Sequence, residues 1–344
     1  MPTLADVGRV AGVSRGTVSN VFNHPELVKP ALRARVEAAA RQLGYDGPNP
    51  RGRVLRDGKV NAIGVVPAGS WGVVDSLGNP VFRQFLLGIG EVCDEVGANL
   101  VIIPDKMGNG GIRTALVDGF ILSRIEHLAE IESARLRQLP FAVMDVDPGP
   151  DVSSVRVDAR AGCFAAGQHL TSLGHRRFGI ISFLRDFGPP RFYPPGRPRG
   201  LEVAGMPLDQ EKLRGYADAL AEVGIAIDDV PIVQAHPWER EAARMMLDVA
   251  PDATAILSMS AMQGIAIMEE ARRRGRSVPG DLSVVGFNDI PEAAQADPPL
   301  TTVDGLGTEK GRVAARIVFE GGPPRCELLQ TRLLVRSSTA PPLR

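Results

Sequence analysis

Residues 3–23, TLADVGRVAGVSRGTVSNVFN, leave little freedom in how they can fold. Thr3 with Asp6 three positions on is a capping-box start, and Leu4, Val7 and Ala11 recur at helical spacing on one face. Gly12 breaks that helix, Val13 fills the corner, and Ser14 is placed to cap the next one. In the second helix Val18, Val21 and Phe22 form the inward stripe, which turns Arg15, Gly16, Ser19 and Asn20 outward. A short, rigidly held helix presenting Arg and Asn near its start suits the reading of base edges in the major groove of DNA. The alternative is a plain helical hairpin whose Ser, Arg and Asn are merely solvated. The next segment weighs against it. Pro30–Leu43 supplies a third helix, with Leu32, Val36, Ala39, Ala40 and Leu43 on one face and Gly44 as its stop. Three helices in about 45 residues can just close a core of their own.

Charge separates this head from the rest. Residues 1–60 carry ten Lys and Arg against five acids, which is +5; with −1 for the whole chain, the remainder is −6. Phosphate contacts account for a basic head, and an acidic remainder keeps the body off the nucleic acid. Cys93, Cys163 and Cys326 are odd in number and lack metal-ligand spacing, as in a reduced cytoplasmic protein. No metal or cofactor is expected. No apolar run approaches a membrane span and the N-terminus is polar from its third residue, so neither a membrane segment nor a signal peptide is expected.

Residues 46–59, DGPNPRGRVLRDGK, read as a linker in which no apolar periodicity survives. Beyond it short apolar strands (62–66, 100–103, 119–122, 141–144, 154–157, 177–182, 255–257, 283–287) alternate with helical stretches (82–96, 161–173, 211–223, 239–249, 262–274). Such alternation implies parallel sheets covered on both faces. At 344 residues the chain suits a small head and a two-lobed α/β body of doubly wound parallel sheets, with a cleft at the carboxyl ends of their strands.

The segments TLADVGRVAGVS, TVSNVFN, QLGYDGPN, LRDG followed by AIGVVP, SLGHRRFGIIS, VPGDLSVVGFNDI, PPLTTV and LVRSSTAPP occur in this order along the chain. In them the chain resembles the LacI/GalR family of bacterial transcription regulators over essentially its full length. The resemblance implies a helix-turn-helix head (1–45), a hinge (46–59) and a body (60–344) resembling periplasmic binding proteins. It places the N-lobe at about 60–172 and 305–331, and the C-lobe at about 173–304 and 332–344. It also implies a homodimer on operator double-stranded DNA and a small effector, such as a sugar, bound between the lobes.

By match to the family motif, Arg15 and Gly16 open the recognition helix and Asn20 lies one turn further, where the family usually has Arg. Asn favours adenine and Arg favours guanine, so different half-sites are expected. Ser14, Thr17, Ser19 and Asn23 are candidate phosphate contacts. Gly8 stands where the family usually has Ala, which either loosens the head or lets helices pack closer. In the hinge, Asn49 can cap, Pro50 suits a first helical position and Leu55 matches the leucine that wedges into the minor groove; a passive tether is the alternative.

For the effector, the resemblance points to Val81 and Phe82 after Asn79-Pro80, Asp158 at the end of the VRVD strand, Lys212, Ser260 and Asn288. The family has Arg, an Asn-Asp pair and Asp where this chain has Lys212, Ser260-Ala261 and Asn288. Bidentate geometry and several polar groups are thereby lost. Either the ligand differs from common sugars or the pocket is degenerate and the chain binds DNA constitutively. The connection after Ile103 is shorter than the family's helix, and its MGNGG run lacks the Lys-Ser/Thr of a phosphate loop. Residues 184–210 form a Pro/Gly/Arg-rich insert at the end of a strand, either a lid over the cleft or an unstructured excursion. An enzyme on a doubly wound fold is the rival class; the five histidines show no metal spacing, and nucleophile-elbow, Walker and paired-carboxylate patterns are missing from the sequence.

Overall fold

The computed structural model describes residues 2–47, 58–67, 72–104, 110–123, 128–184, 188–196, 200, 206–237 and 239–343. The chain divides into two compact units, 1–61 and 62–344. In the first, α1 (Leu4–Ala11), α2 (Arg15–Asn23) and α3 (Pro30–Leu43) close over Val7, Val18 and Val36, each fully buried. The capping box forms: the Asp6 N–H donates to Thr3 Oγ1, and the Thr3 N–H donates to Asp6 Oδ2 at 3.0 Å. Gly12 ends α1 in the left-handed region at φ 63°, and Ser14 Oγ accepts the Thr17 N–H at 3.1 Å. Gly8 resolves toward close packing, since a Cβ there would lie 2.8 Å from the Val13 carbonyl oxygen.

In the second unit the described strands form two sheets. The first runs in the order β12-β5-β4-β3-β1-β2, all parallel: β1 (Ala62–Val66), β2 (Asn99–Ile102), β3 (Gly119–Ser123), β4 (Phe141–Met144), β5 (Ser153–Val157) and β12 (Cys326–Leu329). The second runs β13-β11-β10-β9-β6-β8-β7: β6 (Phe178–Phe183), β7 (Arg191–Tyr193), β8 (Ile232–Ala235), β9 (Ala255–Ser258), β10 (Ser283–Phe287), β11 (Thr301–Asp304) and β13 (Arg332–Leu334). Its interior is parallel and its two outer strands, β7 and β13, are antiparallel to their neighbours. Central strands such as β1, β3 and β6 are buried along their length, as sheets covered on both faces require.

The helices assign themselves by what they bury. Following α4 (Val73–Gly78), α5 (Pro80–Val96) packs with α13 (Gly307–Glu320) on the first sheet, sharing a core of Phe85, Ile89, Ile121 and Ala314. Helices α6 (Gly110–Thr114) and α7 (Leu128–Leu136) follow β2 and β3; α6 is the short connection expected after Ile103. On the second sheet lie α8 (Ala159–Ser172), α9 (Pro207–Ala221), α10 (Glu241–Val249), α11 (Ala261–Arg273) and α12 (Pro291–Gln295).

The lobe boundary expected near 172 is corrected here. Helix α8 belongs to the second lobe, where Cys163, Ala166 and Leu170 bury against Leu213, Tyr216 and Leu220 of α9, so the chain crosses between lobes at Asp158. The insert is corrected in part as well. Its residues Arg191–Tyr193 are neither lid nor excursion but an edge strand along β8.

The C-terminal segment straps the second lobe. Ser338 Oγ donates to the Val284 carbonyl at 2.6 Å and accepts the Thr301 N–H at 2.8 Å. His175, 1 % exposed, donates from Nε2 to the Ala340 carbonyl at 2.8 Å, while Nδ1 lies 2.9 Å from Thr254 Oγ1. With Nε2 the donor, Nδ1 of the neutral ring accepts the threonine proton.

Candidate functional site

On the head, Arg15, Gly16 and Asn20 are exposed on the face of α2 opposite Val18 and Val21. Ser14 and Thr17 are engaged with each other, their hydroxyl oxygens 3.0 Å apart, and Asn23 Nδ2 donates to Ser19 Oγ at 3.1 Å. These pairs fix the rotamers of short polar groups beside Arg15 and Asn20, leaving spare hydroxyl and amide protons to donate to an acceptor such as a phosphate oxygen. Arg9 pairs with Asp6 and Arg33 with Glu37, whereas Arg15, Lys29, Arg35 and Arg41 have no carboxylate within ion-pairing distance among the described residues. The head therefore carries cations not neutralised by its own acids. Leu55, like Asn49 and Pro50, lies outside the described residues.

In the body, a cavity of about 60 Å³ lies between the lobes. Five of the six expected effector positions meet there: Val81 and Phe82 from the first turn of α5, Lys212 from α9, Ser260 at the start of α11, and Asn288 just after β10. Asp158 stands apart from them. Its Oδ1 accepts the Ala161 N–H at 2.9 Å as the N-cap of α8, and it is not among the residues lining the cavity. The carboxylate that lines the cavity is Asp145, at the end of β4 with φ 62°.

Asp145 faces Lys310 of α13, whose Nζ lies 2.7 and 2.8 Å from its two oxygens and 4.6 Å from the Phe85 ring centre. Across the cavity Lys212 makes a second buried pair, its Nζ 3.2 Å from both Asp209 Oδ1 and the Met259 carbonyl. The Phe183 and Phe287 rings stand 4.8 and 4.4 Å from this ammonium. A buried ammonium is tolerated only when paired and hydrogen-bonded, and aromatic faces add to its stabilisation. Lys310 and Asp145 were missed because they are 165 positions apart and only the fold joins them. Ser260 is partly committed, its Oγ accepting the Met262 N–H at 3.2 Å, and Asn288 holds a left-handed φ of 69°. Lining Phe82, Phe85 and Phe183 give the cavity apolar walls between the polar groups.

A second, open groove of about 510 Å³ adjoins the cavity and shares Pro237 and Met262 with it. Arg83 of the first lobe and Glu292 of the second stand at its edge, 3.1 Å apart.

Comparison with known proteins reaches the same two parts. The family model for bacterial regulatory proteins of the lacI family matches residues 3–49, and a periplasmic binding protein-like domain matches residues 167–339. The HTH-type transcriptional repressor CytR of Escherichia coli is 32% identical, over 98% of this chain and 96% of its own length. The chain belongs to the lacI family. The HTH-type transcriptional regulator CelR of Thermobifida fusca is 30% identical over 98% of both chains. Among solved structures, a transcriptional regulator CelR–cellobiose complex is 28% identical with a TM-score of 0.68, covering 98% of this chain and all of that one. The lac repressor dimer bound to operator and an anti-inducer shares the fold, with a TM-score of 0.74 at 23% identity over 98% and 99% of the two chains. As a lacI-family member this protein is a DNA-binding transcriptional regulator and not an enzyme. Among the described residues no helix is long and apolar enough to cross a membrane.

Proposed function

We propose that this protein is a dimeric bacterial repressor whose grip on a pseudo-palindromic operator is set by a small metabolite held between the lobes of its body. The observation that carries this reading is the convergence of Val81, Phe82, Lys212, Ser260 and Asn288, joined by Asp145 and Lys310, on one cavity. In this reading Arg15 and Asn20 read bases, Ser14, Thr17, Ser19 and Asn23 hold phosphates, and Gly16 lets the helix approach the backbone closely. Leu55 enters the minor groove from a hinge that folds on DNA. Two heads are needed because a single one offers too few contacts for specific affinity. The effector is a sugar or related polyol, the class held by the CelR–cellobiose complex. It acts by favouring one lobe arrangement, since a ligand that binds both arrangements equally shifts nothing.

Operator selection from random DNA followed by footprinting tests the DNA side. Two symmetric half-sites are expected, and Arg15→Ala should cost about 1–3 kcal/mol and relax preference at one base pair per half-site. A single unrepeated site would reject the dimer. On the ligand side, a panel of sugars and nucleosides is screened for a rise in melting temperature; Asn288→Ala should abolish the response to any hit and spare basal operator binding.

A second reading has its own support. Lys212 is committed to Asp209 and Met259, and the cavity is small. A constitutive regulator with a degenerate pocket would have both features, and a panel without a single hit favours it.

A further inference from the structure

The two lobes touch beside the cavity through side chains that do not themselves line it. Gln84 of α5 donates from Nε2 to the Asp289 carbonyl of the other lobe at 2.8 Å. Arg83, the preceding residue, reaches Glu292 at 3.1 Å. Both sides of this junction are braced on their own lobes. Arg83 Nη1 also donates to the Leu77 and Gly78 carbonyls at 3.1 and 2.9 Å, and the Asp289 carboxylate lies 2.7 Å from Arg336. Gln84 is seated against Gly307, where an added Cβ would come within 2.8 Å of its side chain. These bridging residues sit within four positions of cavity-lining ones: Val81 and Phe82 on one side, Asn288 on the other.

Volume gives the junction its meaning. A space of about 60 Å³ suits a few waters, whereas a benzene-sized guest occupies a cavity of about 150 Å³ and small-molecule pockets run from about 300 Å³. The neighbouring groove of about 510 Å³ is divided from the cavity by Pro237 and Met262 and bordered by Arg83 and Glu292. Parting the lobes at Arg83–Glu292 would merge the two spaces.

We propose that Arg83 and Gln84, with Asp289 and Glu292, form a latch that holds the lobes in a small-cavity arrangement, and that the latch must open before the cleft admits any occupant larger than a few waters. The latch itself needs no ligand. Only the statement about an occupant rests on the effector reading, so failure of the latch would leave that reading intact.

The test measures cleft opening through the reactivity of a buried thiol. Ser123, 4 % exposed at the end of β3, lines the cavity. Ser123→Cys is placed in full-length protein whose exposed Cys326 is replaced by Ser, and labelling by a small methanethiosulfonate is followed. When reclosure is fast, the rate is proportional to the open population. Arg83→Glu or Glu292→Arg alone should raise the rate roughly two- to five-fold, the range an exposed ion pair supports. The double exchange Arg83→Glu/Glu292→Arg should return it to the parental value, and Gln84→Ala should raise it. Cys163, fully buried with its thiol pushed up to about 12 by burial, is the control for unfolding. Single variants that leave the rate unchanged, a double exchange that fails to restore it, or Cys163 reacting in step with the introduced thiol would each overturn the latch.

Discussion

Gly8 and Asp145 show how far a single position departs from its local preference. In an isolated helix Ala is worth about 1 kcal/mol over Gly, so Gly8→Ala ought to stabilise the head. The Val13 carbonyl 2.8 Å from the place its Cβ would take reverses the sign. The turn between α1 and α2 has to shift, and overpacking of this kind costs about 1–3 kcal/mol. Gly8→Ala should therefore lower the midpoint of thermal unfolding of the head, followed by circular dichroism on residues 1–61, and a raised midpoint would show that the turn yields freely. Asp145 is a different case. Among the described residues its charge is compensated by Lys310, both being at most 7 % exposed. Removing the lysine leaves a buried carboxylate without that cation, which costs about 3–5 kcal/mol. Lys310→Met should thus destabilise the body by that order, and Lys310→Met with Asp145→Leu should recover much of it in urea unfolding. Were the double substitution no better than the single, the pair would be valued for geometry rather than charge.

At the level of helices and strands, what could be read from the chain was whatever local pattern decides. Capping residues and apolar spacing located α1 to α3, and continuous runs such as 62–66 and 283–287 located buried central strands. Strands β7, β8, β11, β12 and β13 escaped because IVQA and TTVD mix in polar residues, while RFY, CELL and RLL are short, partly exposed pieces at sheet margins. Helix α8 was recognised but put in the wrong lobe, since which sheet a helix covers depends on long-range packing and Asp158 looks locally like the end of any strand. The strap over β10 and β11 was likewise invisible, being built from a tail of Ser, Thr and Pro. It has a pH signature. Burial lowers the pKa of His175 first of all and outweighs the Ala340 carbonyl, which raises it, with His169 and Arg177 nearby adding repulsion; burial lowers His169 too. A depressed folded value means that below about pH 6.5 the unfolded chain takes up protons that the folded chain refuses, so stability rises with pH across that window. It is fully present above the unfolded value and declines as pH falls toward the folded one. The melting temperature should accordingly drop on acidification from about pH 7 to about pH 5, with a shallower slope in His175→Gln; equal slopes would remove His175 from the cause.

For the whole molecule, the chain divides into units 1–61 and 62–344, and residues 46–59, with Leu55 among them, lie between the three-helix head and the α/β body in sequence. Leu55→Ala should weaken operator binding and reduce DNA bending in gel-shift assays while leaving the melting of the body unchanged; a variant that bends operator like the parent would make the hinge a passive tether. The short strand β7 has a consequence for how such a molecule survives at high concentration. A long, flat sheet margin invites pairing with another chain. Here the margin next to β8 is occupied by three residues, Arg191–Tyr193, with Pro189 and Pro190 before them and Pro194 and Pro195 after. Proline has no amide proton to offer a neighbouring strand, and the arginine adds charge at the rim. Arg191–Tyr193 and the four flanking prolines thus leave little free margin for another chain to pair with. Replacing the four prolines with valine would lengthen the exposed rim, and light scattering should then reveal association that grows with concentration in protein that is still folded.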